Sequence, residues 1–232
     1  DKYGSGNPER GLNELNSLLR EMGLGQPLGV DMEGESGGFL PNPDYYDRMY
    51  AFQQADWRST YIISNGIGQG ELQLTPIQMA NLAAMLANRG FFYTPHLVRA
   101  KKLESGVRTD IELPARQTRM DTAFFPVVLE GMQRAVEAGT ARGAQVPGLS
   151  ICGKTGTSQN PHGKDHSVFF AFAPRHKPKI ALAVFVENGG YGGSFAAPMG
   201  GLIIEKYLND SIAPYRQWWE DRMMQAQLTA NL

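Results

Sequence analysis

The chain has 232 residues, a formal net charge of -1, 42% hydrophobic and 19% charged residues, and one cysteine. That length and balance give a globular protein with a sizeable core. They exclude a basic nucleic-acid footprint, a helix of the ~20 apolar residues a membrane span needs, and an internal disulfide.

The first residues, Asp1 to Pro8, read as a loop with neither a starting Met nor a signal peptide. The expectation is a piece of a longer protein. From Gly11 to Met22 the residues Leu12, Leu15, Leu18, Leu19 and Met22 share one helical face, and Gly23 stops the helix. Gly25 to Pro43 is rich in Gly, Pro and acidic residues without a period, which predicts a long ordered loop. Asp31, Glu33 and Glu35 alternate there as in a calcium loop, but the remaining ligand spacing is missing and a solvated acidic loop is expected. Trp57 to Ile63 reads as a short strand or extended entry. Gly66, Gly68 and Gly70 follow; no Gly-Lys-Ser/Thr completes a phosphate loop, so nucleotide binding is not expected.

Thr75 to Asn88 is the best-defined helix. Thr75 caps it, Pro76 takes the first helical position and Gln78 completes a capping box. Met79, Leu82, Ala83, Leu86 and Ala87 form its apolar face, and Gly90 ends it. Phe91 to Val98 is extended and broken by Pro95, and Leu103 to Asp110 reads as a hairpin tip. Asp121 to Glu137 is a second strong helix, with Val128, Met132, Ala135 and Val136 on one face and Gly139 as its stop.

The last third holds three short apolar strands, Ser150 to Ser158, Val168 to Ala173 and Ile180 to Glu187. Short connections make them antiparallel neighbours. Cys152 lies in the first and reads as a buried small hydrophobe rather than a reactive thiol. After a glycine-rich loop, Ala196 to Tyr207 is a helix with Met199, Ile203, Ile204 and Tyr207 on one side. Residues 214–232 form a tail with Trp218 and Trp219, suited either to folding back on its own domain or to a partner. The fold class is α+β, an antiparallel sheet flanked by helices.

The first strand carries Lys154-Thr155-Gly156-Thr157. A cation, two hydroxyls and a glycine that leaves the backbone open are the parts needed to hold a carboxylate beside an activated nucleophile. Alone, Lys-Thr-Gly is a weak signal, and a solvated Lys beside a turn glycine is the bland alternative. His162 and His166 flank the following loop, but no third ligand has suitable spacing, so no metal and no cofactor is expected.

Context strengthens the triplet. Gly66-Ile67-Gly68-Gln69-Gly70 with Leu74 to Ala80 resembles class B penicillin-binding proteins, most of all their elongation branch, penicillin-binding protein 2. Gly139-Thr140-Ala141, Gly153 to Gln159, His166 with Phe169 to Pro174, Val186 to Gly190 and Ala196-Ala197-Pro198 follow in the family's order. The resemblance runs from about Gly11 to Tyr207. It implies a five-stranded antiparallel sheet with helices on both sides and a serine D,D-transpeptidase that cross-links peptidoglycan stem peptides ending in D-Ala-D-Ala. It also implies β-lactams as inhibitors, wall-elongation membrane proteins as partners, and a place on the periplasmic face of the bacterial inner membrane with an anchoring span outside this chain. Lys154 would tune the proton shuttle and attract the substrate carboxylate. Thr155 and Thr157 would hold that carboxylate, the Thr157 N–H would be an oxyanion-hole donor, and Gly156 would let substrate lie along the strand.

Two family motifs are missing. No serine has Lys three positions later; Ser17-Leu18-Leu19-Arg20 comes nearest, and Arg is too basic to act as a neutral base. Ser5-Gly6-Asn7 matches the letters of the second motif but not its apolar helical context, and Ser158-Gln159-Asn160 runs out of the third motif. The expectation is a partial transpeptidase domain over residues 1–213 plus the tail, inactive alone for want of a nucleophile. A division-specific transpeptidase and a non-catalytic β-lactam sensor remain alternatives.

Overall fold

The computed structural model describes residues 7–51 and 57–228. In chain order the helices are α1 (Pro8–Glu21), α2 (Pro43–Ala51), α3 (Thr60–Gly66), α4 (Pro76–Ala87), α5 (Phe125–Glu137), α6 (Ala196–Asn209) and α7 (Gln217–Gln225). The strands are β1 (Phe91–Phe92), β2 (Ala100–Lys102), β3 (Arg108–Asp110), β4 (Arg116–Gln117), β5 (Cys152–Ser158), β6 (His166–Ala173) and β7 (Ile180–Val186). They divide between two compact units, Asp1–Gln78 with Phe91–Arg119, and Met79–Gly90 with Met120–Leu232.

In the first unit, α1 starts where the Asn7 side chain accepts the Arg10 amide at 2.9 Å. It stops as expected at Gly23, whose φ of 84° suits glycine. The Gly23 amide bonds Arg20 O and the Leu24 amide bonds Leu19 O, closing the helix end. Leu12 packs in an aromatic cluster with Tyr46 of α2 and Trp57, and the Tyr46 and Trp57 rings stack at 5.2 Å. Two expectations change here. The stretch 44–51, to which the sequence pattern assigns no element, lies wholly within α2. Tyr61, Ile62 and Ile63, read as extended, lie in α3, where Tyr61 and Ile62 pack on the aromatic cluster.

The capping box is present: the Thr75 amide donates to Gln78 Oε1 at 3.0 Å and the Gln78 amide to Thr75 Oγ1 at 3.4 Å. Gln78 does more than cap. Its Nε2 donates to Gln26 O and Gly37 O at 2.9 and 2.8 Å, pinning both ends of the 26–37 loop. That loop is ordered by its acids. Glu35 accepts the amides of Leu28, Gly29 and Val30, and Asp31 accepts those of Leu97 and Val98. The two carboxylates bind backbone rather than simply facing solvent. β2 and β3 form the expected hairpin, and β1 pairs with β4.

The second unit is built on the sheet β5-β6-β7, antiparallel throughout, with Thr155 opposite Phe169 and Phe169 opposite Val184. Alternation puts Phe169, Ala171, Ala173, Leu182 and Val184 on one face, in a buried cluster with Ala196, Ala197 and Ile204 of α6. Cys152 and Phe172 have the opposite parity and are buried too, and the Cys152 thiol donates to Leu129 O of α5 at 3.5 Å. The α+β architecture with helices flanking an antiparallel sheet is therefore as expected. The described residues supply three strands of this sheet rather than five.

Two helix faces differ from expectation. On α5 the buried stripe is Phe125, Leu129, Met132 and Val136, while Val128 is 41% exposed. On α6, Ile204 is buried and Met199 packs on the core, but Ile203 and Tyr207 face solvent. The inward face there is made of small residues: a Cβ on Gly200 would lie 2.5 Å from the Phe169 ring. Beyond residue 213 a single 3-10 turn, Pro214–Arg216, leads into α7, which contacts α6. Arg216 Nε donates to Glu205 Oε2 of α6 at 2.7 Å, with both groups buried.

Candidate functional site

β5 carries Lys154, Thr155, Gly156 and Thr157 on consecutive positions of an edge strand. β6 lines one side of it, and no described strand pairs with the other. Strand alternation turns Lys154 and Gly156 to one face and Thr155 and Thr157 to the other. Lys154 is exposed, its Nζ donates to Thr155 O at 2.6 Å, and it makes no ion pair among the described residues. Its positive charge is therefore available at the strand. Thr157 is half-buried opposite Ser167.

Thr155 is 8% exposed. Its hydroxyl lies 2.8 Å from that of Thr140, which follows α5 in the chain. Thr140 belongs to the Gly139-Thr140-Ala141 block but carries no role in the sequence reading. The pairing bridges 15 residues, and no local periodicity signals it.

Gly156 and Gly153 differ in a way that matters. A Cβ on Gly153 would sit 2.6 Å from the Phe169 ring, so packing forces glycine there. A Cβ on Gly156 would reach Val168 only at 3.4 Å, an ordinary contact, and its φ is not in the left-handed region. The fold does not require glycine at position 156.

The loop after β7 buttresses β5 from behind. A Cβ on Gly192 would fall 2.5 Å from Gly156 O, 2.6 Å from Val168 O and 2.9 Å from Thr155 Cβ. Ser167, fully buried on β6, holds this loop by donating to Tyr191 O at 2.9 Å and accepting the Ala196 amide at 3.0 Å. At the far end of β5, Asn160 ties the following turn together. Its amide donates to Asp165 Oδ1, and its Nδ2 to Asn188 Oδ1 at 2.9 Å.

The other candidates have local structural uses. His166 Nδ1 accepts the Asn188 amide at 3.1 Å, while His162 lies exposed on the turn, and no metal-ligand cluster of three occurs among the described residues. Ser17 accepts from Arg119 Nη2 at 3.3 Å, with no lysine in the role of a base. Asn7 caps α1, and Ser5 lies outside the described residues. No described helix is long and apolar enough to cross a membrane.

A strand bearing Lys-Thr-Gly-Thr thus lies at the edge of the described antiparallel sheet, which helices flank. The penicillin-binding protein transpeptidase domain model matches residues 8–205. The chain belongs to the penicillin-binding protein transpeptidase domain family. It is 36% identical over 207 residues to the peptidoglycan D,D-transpeptidase MrdA of Acinetobacter baumannii, an alignment covering 81% of this chain and 30% of that protein. It resembles the crystal structure of Pseudomonas aeruginosa PBP2 in complex with WCK 5153, with TM-score 0.72 and 35% identity over 86% of this chain and 43% of that one. Penicillin-binding protein A of Mycobacterium tuberculosis, solved as a ceftriaxone acyl-enzyme complex, gives TM-score 0.72 at 28% identity over 86% and 44%. The PBP2–MreC complex of Helicobacter pylori gives TM-score 0.67 at 26% identity over 86% and 36%. The chain spans roughly a third of the length of the curated relatives it matches.

Proposed function

We propose that these residues form part of the transpeptidase domain of an elongation-type peptidoglycan D,D-transpeptidase. The observation that carries the reading is β5: an exposed Lys154 and an unforced Gly156 on a sheet edge that no other strand among the described residues pairs with. Glycine there leaves the strand open to close approach by an extended peptide, which can add to the edge through main-chain hydrogen bonds. In the proposed reaction a serine Oγ, outside this chain, attacks the carbonyl of the penultimate D-Ala and the terminal D-Ala leaves as amine. The acyl group then passes to an amine of a second stem peptide, and the serine regains its proton. Lys154 attracts the terminal carboxylate and sets the field around the proton shuttle. Thr155 and Thr157 hydroxyls hold that carboxylate, and the Thr157 N–H stabilises the oxyanion. β-Lactams enter as mimics of the D-Ala-D-Ala end. The relatives' names support a wall-synthesis role, and the H. pylori complex supports a partner of the MreC kind. The place of action is the periplasmic face of the inner membrane, anchored by a span outside these residues.

Fluorescent penicillin tests this directly. The full-length protein should acquire a stable covalent label, and the isolated 232-residue chain, with no Ser-x-x-Lys, should acquire none. An unlabelled full-length protein would overturn the function. A labelled fragment would show that a serine within these residues is the nucleophile.

A further inference from the structure

The Thr140 hydroxyl lies 2.8 Å from that of Thr155, and neither the sequence pattern nor the resemblance gives Thr140 a task. Thr155 has little freedom to move away. It is buried, and Gly192 presses on it from behind, so close that an added methyl there would lie 2.9 Å from Thr155 Cβ. Thr140 is fixed as well, since a Cβ on Gly193 would meet its carbonyl at 2.7 Å.

A threonine hydroxyl has one proton to donate and two lone pairs. Two hydroxyls joined by one hydrogen bond use one of their two protons and leave the other free. With Thr155 donating to Thr140, the remaining surface of Thr155 Oγ1 offers only lone pairs, which repel an anion. With Thr140 donating, the Thr155 proton is free for an acceptor at β5. Lys154 leaves β5 on the opposite face, but its Nζ turns back to Thr155 O at 2.6 Å and so brings its charge to this residue. The charge makes the place one for an anion, and an anion selects the second arrangement.

Resting on the transpeptidase reading above, we propose that Thr140 is a positioning residue, which donates to Thr155 and so presents the Thr155 hydroxyl as a hydrogen-bond donor to the carboxylate of the acyl donor. Thr140 does not touch substrate. It sets the direction of a proton on a residue that does.

The test uses the full-length protein and compares acylation by benzylpenicillin with acylation by its methyl ester, which lacks the carboxylate charge. Thr140→Val removes the neutral hydroxyl–hydroxyl bond that orients Thr155, and should slow acylation by the acid roughly three- to tenfold, the scale of a neutral hydrogen bond. The loss should fall in the binding constant rather than in the acylation step, and the ester should be unaffected. Thr140→Ser should restore the wild-type ratio of acid to ester. Should the valine variant fail to fold, Thr140→Ala takes its place, with the same loss of ratio expected. Equal slowing of acid and ester would overturn the positioning role and leave the transpeptidase reading standing. A wild-type protein that forms no adduct with benzylpenicillin would overturn both.

Discussion

Cys152 has no exposed surface, and burial pushes its thiol from the ordinary 9.0 up to about 11. The folded value lies above the unfolded one, so the unfolded chain loses this proton first as pH rises. The contribution to stability is complete below pH 9.0 and is lost as pH climbs through about 11. Over that range the Cys152→Ala protein should lose less stability than the parent, measured as thermal midpoints at stepped pH. Parallel curves would exclude the thiol as a source of the alkaline slope. A second residue-scale prediction concerns Glu35, whose carboxylate takes three backbone amides at 2.7 to 3.0 Å. Glu35→Ala removes the two oxygens that accept all three amides and should cost about 1–3 kcal/mol, with faster hydrogen exchange confined to Leu28, Gly29 and Val30. Unchanged exchange at those amides would mean that the loop holds its shape without this carboxylate. Asp31 behaves similarly: the Leu97 and Val98 amides hold its carboxyl below the usual range, so its contribution is present at neutral pH and fades in acid. Sequence spacing could identify these acids as unsuited to calcium. It could not show where they point, because the Asp31 partners lie 66 and 67 residues away.

Elements were legible where local chemistry decided them. Thr75, Pro76 and Gln78 define the start of α4 without tertiary help, and Gly23 defines the end of α1. At the end of α4 both Arg89 and Gly90 have positive φ, 60° and 112°, and the Gly90 amide closes the helix on Met85 O, so the stop falls at Gly90 as the sequence suggests. α3 reads as extended from sequence because Tyr61, Ile62 and Ile63 are a short apolar run whose period cannot separate strand from helix; packing of Tyr61 and Ile62 on the Tyr46 cluster makes it a helix. α6 was misread on its facing because its inner surface is largely Gly and Ala, which a search for large apolar residues passes over. The strand carrying the candidate site was legible, and its support was not. Gly192 sits in a glycine-rich loop that reads as mere flexibility, yet it occupies space that no side chain can share. Its φ is outside the left-handed region, so a substitution fails through volume and not through backbone strain. Gly192→Ala should destabilise the second unit by roughly 2–4 kcal/mol, because the obstructing atoms are backbone carbonyls of β5 and β6 and cannot rotate away. Calorimetry on the variant decides this, and a midpoint within about 1 °C of the parent would show that the loop yields instead.

At the scale of the whole molecule, the residues after 213 are tied to the sheet unit by charge as much as by packing. Glu205 is 2% exposed and Arg216 7%. The Glu205 carboxylate accepts Arg216 Nε at 2.7 Å and the Ala213 amide at 3.1 Å, while Arg216 also donates to Gln145 O. A buried ion pair contributes little net stability against an apolar pair of the same size, but leaving one member alone is costly, by about 3–5 kcal/mol. A chain truncated after Ser211 removes Arg216 and the Ala213 amide together and strands the Glu205 carboxylate. For a protein of this size that should lower the thermal midpoint by roughly 10 °C. The cause can be separated from the loss of α7 packing. In the truncated chain Glu205→Leu should recover much of the midpoint, because no charge remains to be stranded. In the full chain the same substitution should lower it, because Arg216 is then left alone. Opposite signs for one substitution in two chain lengths are the signature of the ion pair. The same sign in both would assign the attachment of α7 to packing, through Phe195, Trp219 and the Arg222 guanidinium that lies over both rings.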